Sequence, residues 1–303
     1  MSGFNLQDRS AIVTGSASGL GKAEALALAR QGANIVLTDV ANASQAVQEI
    51  RDLGVGCVAV QGDIGEWSLA QRLVDTALEE FGRLDIVVNN AGITRDSMIF
   101  NVTEQQWDEV IRVHLKGHAA LSQAATALWR NQSKASGHPA NARIINTASE
   151  AAITGNPGQP NYSAAKAGIV ALTTATARGA GKYGVTVNAI SPRGRTSMTA
   201  GVFTDSPRAD DPLNPDHVAR LVAYLASDAA KDITGRNFVV YGRMVAAVAP
   251  PQIEASFQSG GPEFTLDELH QQLSALNSAP INAEISKQLQ ELQQLSGMNA
   301  TSE

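Results

Sequence analysis

Short apolar runs alternate with helix-length segments along about the first 245 residues of the chain. The runs are rich in β-branched residues and nearly continuous in hydrophobicity, which is typical of strands buried on both faces of a parallel sheet. They are Ala11–Val13, Ile35–Leu37, Val58–Val60, Ile86–Val88, Ile144–Ile145, Val185–Val187 and Phe238–Val240. The main helical segments between them are Gly21–Gln31, Trp67–Phe81, Gln105–Arg130 and Asn161–Lys182.

This alternation predicts an α/β fold: a Rossmann-type, doubly wound parallel sheet with helices on both faces. The chain has 303 residues, 44% of them hydrophobic, which is enough for one large core. We therefore predict a single catalytic domain over residues 1–248 and a C-terminal helical extension over residues 249–303. Ligands of such a sheet bind beyond the carboxyl ends of its strands.

Two segments depart from the alternation. The polar stretch Gln132–Ala140 is predicted to be a surface loop. After Pro250-Pro251 the chain is rich in Gln, Ser and Asn, and Thr265 with Glu268 forms the pattern of a capping box. Apolar residues then follow at helical spacing, first Leu266, Leu269, Leu273 and Leu276, and next Ile281, Ile285, Leu289, Leu292 and Leu295. Each stripe needs an apolar partner, either the core or a neighbouring subunit, with a lid over the substrate as the alternative.

Composition excludes several classes of function. The net charge of −6, without runs of Lys or Arg, argues against a nucleic-acid partner. Cys57 is the only cysteine and lies in an apolar run, so we expect a buried core residue and neither disulfides nor a thiol metal site. We find no signal peptide and no run near the roughly 18 apolar residues of a membrane span. We therefore expect a soluble cytoplasmic protein that binds neither a membrane nor a metal.

A glycine-rich stretch, Thr14–Gly21, follows the first apolar run and opens the first helix. Gly15 permits a tight turn, Gly19 lets the backbone approach a pyrophosphate, and Gly21 permits close packing of helix on sheet. The free N–H groups of the helix N-terminus can then bind phosphate. The arrangement predicts a dinucleotide site.

Two carboxylates follow the second and third strands. Asp39 can accept hydrogen bonds from the ribose hydroxyls and would repel a 2′-phosphate, and no cation adjoins it in the sequence, so we favour NAD over NADP. The alternative is an Asp that caps a helix. Asp63 could accept from the adenine amino group, or it could merely shape a turn.

Tyr162 and Lys166 lie four residues apart at the start of a predicted helix and so share one face. A free tyrosine titrates near pH 10, and its phenolate is favoured by a neighbouring ammonium and by the positive charge of oxidised nicotinamide. A pKa lowered in this way would let Tyr162 take a proton from an alcohol. Ser149, 13 residues earlier and just past the fifth strand, can hydrogen-bond the substrate oxygen. Tyr162, Lys166 and Ser149 therefore predict an alcohol dehydrogenase site.

These motifs together resemble the short-chain dehydrogenase/reductase family, in its order and spacing, from about Leu6 to Val245. The resemblance implies a nicotinamide cofactor, catalytic Ser149, Tyr162 and Lys166, and a homodimer or homotetramer. The residues that it implies for cofactor binding are Gly15, Ser18, Gly19, Leu20, Asp39, Asp63, Ile64, Asn90, Ala91, Gly92, Tyr162, Lys166, Pro192 and Thr196.

One departure from the family concerns a fourth catalytic residue. The family has an Asn within V-N-L-x-G that helps to hold a water in a proton relay, and this chain has His114 within Val113–Gly117. A neutral imidazole also donates and accepts hydrogen bonds, so His114 could replace the Asn. The alternative is a histidine that only packs the helix.

Another departure lies after the sixth strand, where Arg193 and Arg195 precede Met198. These cations could meet an anionic substrate such as a coenzyme A phosphate, or they could pair with Asp205, Asp210 or Asp211. The family places a mobile substrate loop over Thr199–Asp211. Apolar residues that could line the pocket, or belong to the core instead, are Met98, Ile99, Ile153, Met198, Val202 and Phe203.

The sequence at these departures resembles that of one subgroup of the family, which includes peroxisomal β-oxidation dehydrogenases and bacterial steroid-degradation enzymes. That resemblance implies oxidation of a secondary alcohol on a small molecule, either a 17β-hydroxysteroid or a (3R)-hydroxyacyl-CoA, with NAD. Two alternatives stay open. One is an NADPH-dependent 3-oxoacyl-carrier-protein reductase, and the other is a catalytically inactive NAD-binding regulator.

Overall fold

The structure is a computed structural model that describes residues 4–195, 211–274, 276 and 283–296. Its described strands form one sheet in the order β3-β2-β1-β4-β5-β6-β7-β8. Neighbours from β3 to β7 pair in parallel, and β8 pairs antiparallel with β7. The strands are β1 Ser10–Thr14, β2 Asn34–Asp39, β3 Cys57–Gln61, β4 Ile86–Asn89, β5 Ala142–Thr147, β6 Val185–Pro192, β7 Asn237–Tyr241 and β8 Met244–Val248.

Helices cover both faces of the sheet, as predicted. The α-helices are α1 Gly19–Arg30, α2 Ser44–Arg51, α3 Trp67–Phe81, α4 Glu104–Ile111, α5 Gly117–Ser136, α6 Ala151–Thr154, α7 Pro160–Ala180, α8 Pro215–Ala226, α9 Leu266–Leu273 and α10 Ala283–Leu295. A π-helical turn, Arg112–Lys116, joins α4 to α5. Within the described residues, short 3₁₀ turns cover Gly181–Tyr183 and Asp228–Ala230.

Two apolar layers sandwich the sheet. Residues of α1, α2 and α8, such as Leu28, Ile50 and Val222, are buried against one face. Residues of α3 and α5, such as Leu73 and Trp129, are buried against the other. Since both faces of the central strands are covered, the continuous hydrophobicity of the runs is explained, and the predicted doubly wound α/β class is confirmed.

The strand order places the site. The chain leaves β1 towards β2 and β3 on one side, and then returns to β4 on the other side of β1. A crevice opens at such a switch point, beyond the carboxyl ends of the two strands. Thr14 ends β1 and Asn89 ends β4, so the loops that follow them meet at this crevice.

Two features differ from the sequence prediction. The segment predicted as a loop over Gln132–Ala140 is helical as far as Ser136, because α5 continues until Gly137 adopts a left-handed conformation, with φ 73°. Strand β8 was not predicted. It forms an edge hairpin with β7, and its side chains alternate between exposed and more buried positions, so it lacks the continuous hydrophobicity that marks the central strands.

The C-terminal extension contains the two predicted helices in different settings. In α10, Leu289 is buried beside Tyr241 and Met244 of the β7–β8 hairpin, with Ile285 and Leu292 partly buried around it. Helix α9 has the predicted capping box between Thr265 and Glu268. Of its apolar residues, Leu266 and Leu273 are exposed, at 84% and 49% accessible, and Leu269 is partly buried. Within the described part of the chain, no helix combines the length and the apolar character that crossing a membrane requires.

Candidate active site

The glycine-rich loop and the loop after β4 are joined by hydrogen bonds. The Thr14 hydroxyl accepts from the backbone N–H groups of Asn90 and Ala91, at 2.9 and 3.0 Å. The Asn90 amide donates in return to the carbonyls of Thr14 and Gly15. A Cβ at Gly15 would lie 2.8 Å from the Ala91 Cα atom, so that position admits no side chain. Thr14 therefore holds the two loops of the crevice in register, a role that the sequence did not reveal.

The start of α1 offers free donors to an anion. Gly19 begins the helix with φ 57°, and the preceding Ser18 makes no side-chain cap. The first turn has no acidic residue, and the first N–H groups of any helix lack partners within it. A Cβ on Gly21 would overlap the Gly15 carbonyl, so this glycine is required for the helix to approach the loop. These residues fit the pyrophosphate of a dinucleotide.

Asp39 ends β2 beside this loop, as predicted. Its carboxylate accepts from Ala17 N and from Ala41 N, each at 2.9 Å, which fixes it next to the glycine-rich turn. Lys22, a cation of the first helix, is paired with Glu49 at 2.8 Å. The Asp39 carboxylate is therefore held beside the glycine-rich turn.

Asp63 is held in a different way. Arg112 of the π-helical turn binds one oxygen at 2.7 Å, and the Gly65 N–H binds the other at 2.8 Å. Burial alone would raise the pKa of Asp63, but these bonds outweigh it and lower the pKa. Asp63 is thus ionised and shapes the turn before α3. Ile64 beside it is buried against α5.

Tyr162, Lys166 and Ser149 meet at the carboxyl end of β5. Tyr162 and Lys166 project from the first turns of α7, and the Lys166 Nζ atom is 5.4 Å from the centre of the Tyr162 ring. The Ser149 hydroxyl lies within hydrogen-bonding reach of the Tyr162 phenol and also accepts from Ala151 N. The structure therefore brings the three predicted residues together.

Burial changes the ionisation of two of these residues. It lowers the pKa of Lys166 to about 7, and its ammonium group donates to the Thr147 carbonyl at 2.6 Å. Burial also raises the pKa of Tyr162, against a smaller opposing effect of the Ser149 hydrogen bond. In the protein without cofactor, desolvation of the phenolate therefore outweighs the Ser149 hydrogen bond, and the lowering predicted with oxidised nicotinamide bound stays a prediction.

His114 lies beside Tyr162. Its ring meets the tyrosine ring edge-on, with 5.2 Å between centroids, and its Nε2 atom lies 3.0 Å from Ile93 N and 2.7 Å from Ile93 O. Burial, and then the Lys166 charge, lower its pKa well below the usual value, so the ring is neutral at pH 7. A Cβ on Gly92 would overlap this ring, which explains why glycine follows Ala91.

The start of α7 is fastened by a residue that sequence reasoning missed. Asn161 is completely buried, and its amide donates to the carbonyls of Arg95 and Gln106. Its oxygen accepts from Tyr162 N at 2.8 Å. Asn161 therefore fixes the tyrosine relative to the loop after β4. The sequence signal that could have indicated this role is the position of Asn161 immediately before Tyr162.

The two arginines after β6 are engaged in ion pairs. Arg193 binds Glu150, the residue after Ser149, at 2.6 Å and lies 4.8 Å from the centre of the Tyr241 ring. Gln293 of α10, with its amide oxygen turned towards Arg193, accepts from the same guanidinium. Arg195 pairs with Asp211 at 3.0 Å, which is one of the pairings considered from the sequence. Both guanidinium groups are therefore engaged with carboxylates, rather than free to meet an anionic substrate.

Several predicted pocket residues have other surroundings. Ile153 packs in the cluster formed with α10, and Met98 and Ile99 are 43% and 62% accessible. Pro192 ends β6 as expected. Other residues of these predictions lie outside the described part of the chain, namely Thr196, Met198, Val202, Phe203, Asp205 and Asp210.

Comparison with known proteins identifies the class. Residues 9–206 match the family model of the short chain dehydrogenases, and the chain belongs to this family of oxidoreductases. It is 50% identical over 277 residues to the hydroxyacyl-CoA dehydrogenase ChsB1 of Mycobacterium tuberculosis, covering 88% of this chain and 87% of that protein.

Other relatives share less of the sequence. The chain is 37% identical over 248 residues to a 3-oxoacyl-[acyl-carrier-protein] reductase of Staphylococcus aureus, covering 78% of this chain and 98% of the reductase. It is 38% identical over 239 residues to the peroxisomal hydratase-dehydrogenase-epimerase of Saccharomyces cerevisiae, covering 75% of this chain and 25% of that longer protein. The crystal structure of a short chain dehydrogenase from Mycobacterium avium is 40% identical, with a TM-score of 0.82, and covers 89% of this chain and 95% of that one.

Proposed function

We propose that this oxidoreductase is an NAD-dependent dehydrogenase that interconverts a secondary alcohol and a ketone on a hydroxyacyl-CoA. The observation that carries the proposal is the meeting of Ser149, Tyr162 and Lys166 beside a dinucleotide crevice. The substrate class is supported by the hydroxyacyl-CoA dehydrogenase that is 50% identical to the chain.

The residues of the crevice fit a nicotinamide dinucleotide, which when bound supplies the acceptor for the hydride of the alcohol. The α1 N-terminus would hold the pyrophosphate, and Asp39 the adenosine ribose. The residues proposed to contact it are those named from the sequence: Gly15, Ser18, Gly19, Leu20, Asp39, Asp63, Ile64, Asn90, Ala91, Gly92, Tyr162, Lys166, Pro192 and Thr196.

The protein's own groups would handle the proton. Ser149 orients the substrate oxygen, Tyr162 takes the hydroxyl proton during oxidation and returns it during reduction, and the Lys166 ammonium stabilises the phenolate. Because burial raises the pKa of Tyr162, the phenolate needs positive charge close by. Lys166 provides such a charge while its own pKa, about 7, allows it to lose or gain a proton near neutral pH.

The preference for NAD can be tested at Asp39. Replacing Asp39 with Ser should lower the ratio of kcat/KM for NAD to kcat/KM for NADP by ~100-fold, because a fixed carboxylate would no longer face the 2′-phosphate of NADP. Each factor of ten in this ratio corresponds to about 1.4 kcal/mol. Asp52→Ser removes an exposed carboxylate at the end of α2 and serves as the control, with an unchanged ratio. An unchanged ratio in D39S itself would contradict this role for Asp39.

The role proposed for His114 is that of the family's catalytic Asn. His114→Asn should keep kcat within about fivefold of the parent value, a change of about 1 kcal/mol, because a neutral imidazole and an amide both donate and accept hydrogen bonds. Steady-state kinetics of NADH formation would measure this. A near-total loss of turnover with a normal melting temperature would show that the two side chains are not equivalent here.

The substrate class is tested by one panel of assays. NAD and NADP would each be combined with a steroid side-chain (3R)-hydroxyacyl-CoA, a short (3R)-hydroxyacyl-CoA and a 17β-hydroxysteroid, and the values of kcat/KM compared. We expect the highest value for NAD with a hydroxyacyl-CoA. A higher value for the 17β-hydroxysteroid would overturn the acyl-CoA assignment and leave the dehydrogenase assignment intact.

A second candidate is an NADPH-dependent 3-oxoacyl-carrier-protein reductase, favoured by the 37% identity to such an enzyme. Asp39 argues against it, because a carboxylate at that position repels the 2′-phosphate of NADPH. Reduction of a 3-oxoacyl-carrier protein with NADPH, faster than with NADH, would establish this alternative. Binding of NAD with no turnover across the whole panel would instead indicate an inactive regulator.

Two organisational features belong to the same proposal. We place the catalytic domain at residues 1–248 and the extension at 249–303, and we expect a homodimer or homotetramer. The exposed apolar residues of α9 support an oligomer, since large exposed apolar residues in one stripe commonly mark contact surfaces. Light scattering combined with size-exclusion chromatography would measure the subunit number.

A further inference from the structure

Ser149 lies at the start of a short helical turn that ends with α6. The backbone bonds of this turn stay within it: Ala152 N donates to the Ser149 carbonyl at 3.0 Å, and Ile153 N donates to the Glu150 carbonyl at 2.8 Å. A helix of four residues is only marginally stable by itself, so its position depends on contacts with other elements. The Ser149 hydroxyl accepts from Ala151 N of the same turn, and its direction therefore depends on what anchors the turn.

Glu150 is the polar anchor of this turn. Its Oε2 atom accepts from Arg193 Nε at 2.6 Å and lies 2.5 Å from Arg193 Nη2. Both side chains are largely buried, with Arg193 22% and Glu150 13% accessible. Burial raises the pKa of Glu150, and the charge of Arg193 opposes that rise. Removing either partner would leave the other buried without a counter-charge, so each side chain holds the other in place.

Arg193 is itself fixed by two neighbouring elements. Its backbone N–H donates to the Val240 carbonyl of β7 at 3.1 Å. Its guanidinium lies 4.8 Å from the centre of the completely buried Tyr241 ring, which is within the range of a cation–π attraction. Gln293 of α10, with its amide oxygen turned towards Arg193, accepts from the same guanidinium. Arg193 therefore joins Glu150 to β7 and α10.

An apolar contact joins α6 to the same elements. Ile153 packs against the cluster that contains Tyr241 of β7 and Leu289 of α10. Helix α10 is in turn closely packed on the hairpin, since a Cβ on Gly242 would overlap the Ser296 carbonyl at the end of the helix. The turn that carries Ser149 is thus held by one polar and one apolar contact to a single packed unit.

We propose that Arg193 and Glu150 are positioning residues of the reaction: their ion pair fixes the turn and so holds the Ser149 hydroxyl against the Tyr162 phenol. Neither of the two charged side chains meets the substrate or exchanges a proton in this proposal. The hydrogen bond from Ser149 lowers the pKa of Tyr162 against the effect of burial, so losing it should raise that pKa. The proposal rests on the proposed function for its effect on turnover, although not for the geometry of the serine.

Glu150→Gln and Arg193→Met test the effect on catalysis. Each should lower kcat for oxidation by about tenfold, or about 1.4 kcal/mol of barrier, with the affinity for NAD unchanged. Each should also move the pH dependence of kcat to higher pH, because Tyr162 loses the Ser149 bond. The other groups that face Tyr162, which are Lys166, His114 and Asp96, stay the same in both variants.

The opposite charges of the two residues make the direction of the pH shift diagnostic. If the charges acted on Tyr162 only through space, E150Q would remove a negative charge and move the profile to lower pH, while R193M would move it to higher pH. A shift of E150Q to lower pH, or the parental kcat and pH profile in E150Q, would overturn the proposal. If R193M does not fold, the isosteric E150Q decides alone.

A double variant tests whether Arg193 acts through the serine. Ser149→Ala should lower kcat by itself, and adding R193M to it should lower kcat no further, because residues that act through one interaction are not additive. A further tenfold loss in the double variant would overturn the proposal. Arg83→Met is the matched control, since it breaks an ion pair of 2.7 Å with Asp85 at the amino end of β4, far from the site. We expect it to lower the melting temperature and to keep the parental kcat and pH profile.

Crystal structures of the full-length parent and of E150Q, each with NAD, test the geometry without any substrate. We expect Ser149 Oγ within hydrogen-bonding distance of the Tyr162 hydroxyl in the parent, and turned away from it in E150Q. The same Ser149–Tyr162 distance in both structures would overturn the proposal. A parent protein without dehydrogenase turnover would instead refute the proposed function, and this structural comparison would still decide the role of the ion pair.

Discussion

Replacing Tyr162 with Phe should reduce kcat by about a thousandfold while leaving the affinity for NAD unchanged. General acid–base groups contribute on the order of 10²–10⁴ to a rate, and the phenol is the group placed to exchange the substrate proton. Phenylalanine fills the same space beside His114 and Lys166, so the site should keep its shape. NADH formation measures kcat, and quenching of protein fluorescence measures NAD binding.

The chain offers a matched control for this substitution. Tyr183 also lies beside a lysine, with Lys182 Nζ 5.2 Å from its ring centre, but it is in a turn before β6 and away from the crevice. Tyr183→Phe should therefore have parental kinetics. Substantial turnover in Y162F, with Y183F unaffected, would mean that another group exchanges the proton.

Replacing Lys166 with Met should lower kcat by at least ~100-fold and yet stabilise the cofactor-free protein. The loss of rate follows from losing the charge that favours the Tyr162 phenolate. The gain in stability follows from removing a fully buried amine, whose pKa burial lowers to about 7. We expect the free energy of unfolding at pH 7 to rise by on the order of 2 kcal/mol, less than the full desolvation cost because the bond to the Thr147 carbonyl is also lost.

The gain in stability should depend on pH with a defined sign. Lys166 loses its proton near pH 7 when folded and near pH 10.5 when unfolded, so between these values the unfolded state binds more protons. The parent therefore gains stability as the pH rises through this window, and the advantage of K166M should shrink from pH 7 to pH 10. Thermal unfolding at several pH values measures it.

Lys182→Met, at an exposed lysine, is the control and should change neither kcat nor the pH dependence of unfolding. A K166M variant that is less stable than the parent at pH 7 would mean that the buried ammonium contributes more through its bonds than its desolvation costs. Parental turnover in K166M would remove Lys166 from the proposed mechanism.

The sequence predicted the sheet because its central strands are buried on both faces, which leaves a continuous apolar run. It did not predict β8, since an edge strand with one accessible face lacks that run. It placed a loop where α5 continues, because Gln, Ser and Lys are common in loops but are also tolerated on an exposed helix surface. Local composition could not decide these cases.

At the site, too, local sequence patterns revealed some features and not others. Motif spacing predicted that Tyr162, Lys166 and Ser149 would meet, and it predicted the position of Asp39 at the end of β2. The ion pair between Arg193 and Glu150 joins residues 43 positions apart, and no local pattern reveals it. The raised pKa of Tyr162 is likewise a product of burial, which a sequence shows only indirectly.

Helix α10 of the C-terminal extension contacts residues next to the proposed catalytic serine. Arg193 follows β6, Glu150 follows Ser149, and Gln293 of α10 closes on the same guanidinium. The extension is therefore fastened to residues that adjoin the proposed catalytic serine. The family model matches residues 9–206, which include Glu150 and Arg193 but not Gln293, so the contribution of α10 to this contact lies outside the matched residues.

The transfer of hydride to NAD from the carbon that bears the hydroxyl group tests the central claim most directly. A (3R)-hydroxyacyl-CoA with deuterium at that carbon would be incubated with the protein and NAD, and the reduced cofactor analysed by mass spectrometry. We predict NADH that carries the deuterium in its nicotinamide ring, together with the 3-oxoacyl-CoA. Formation of the ketone with NADH free of deuterium, or the absence of reaction with bound NAD, would contradict the account.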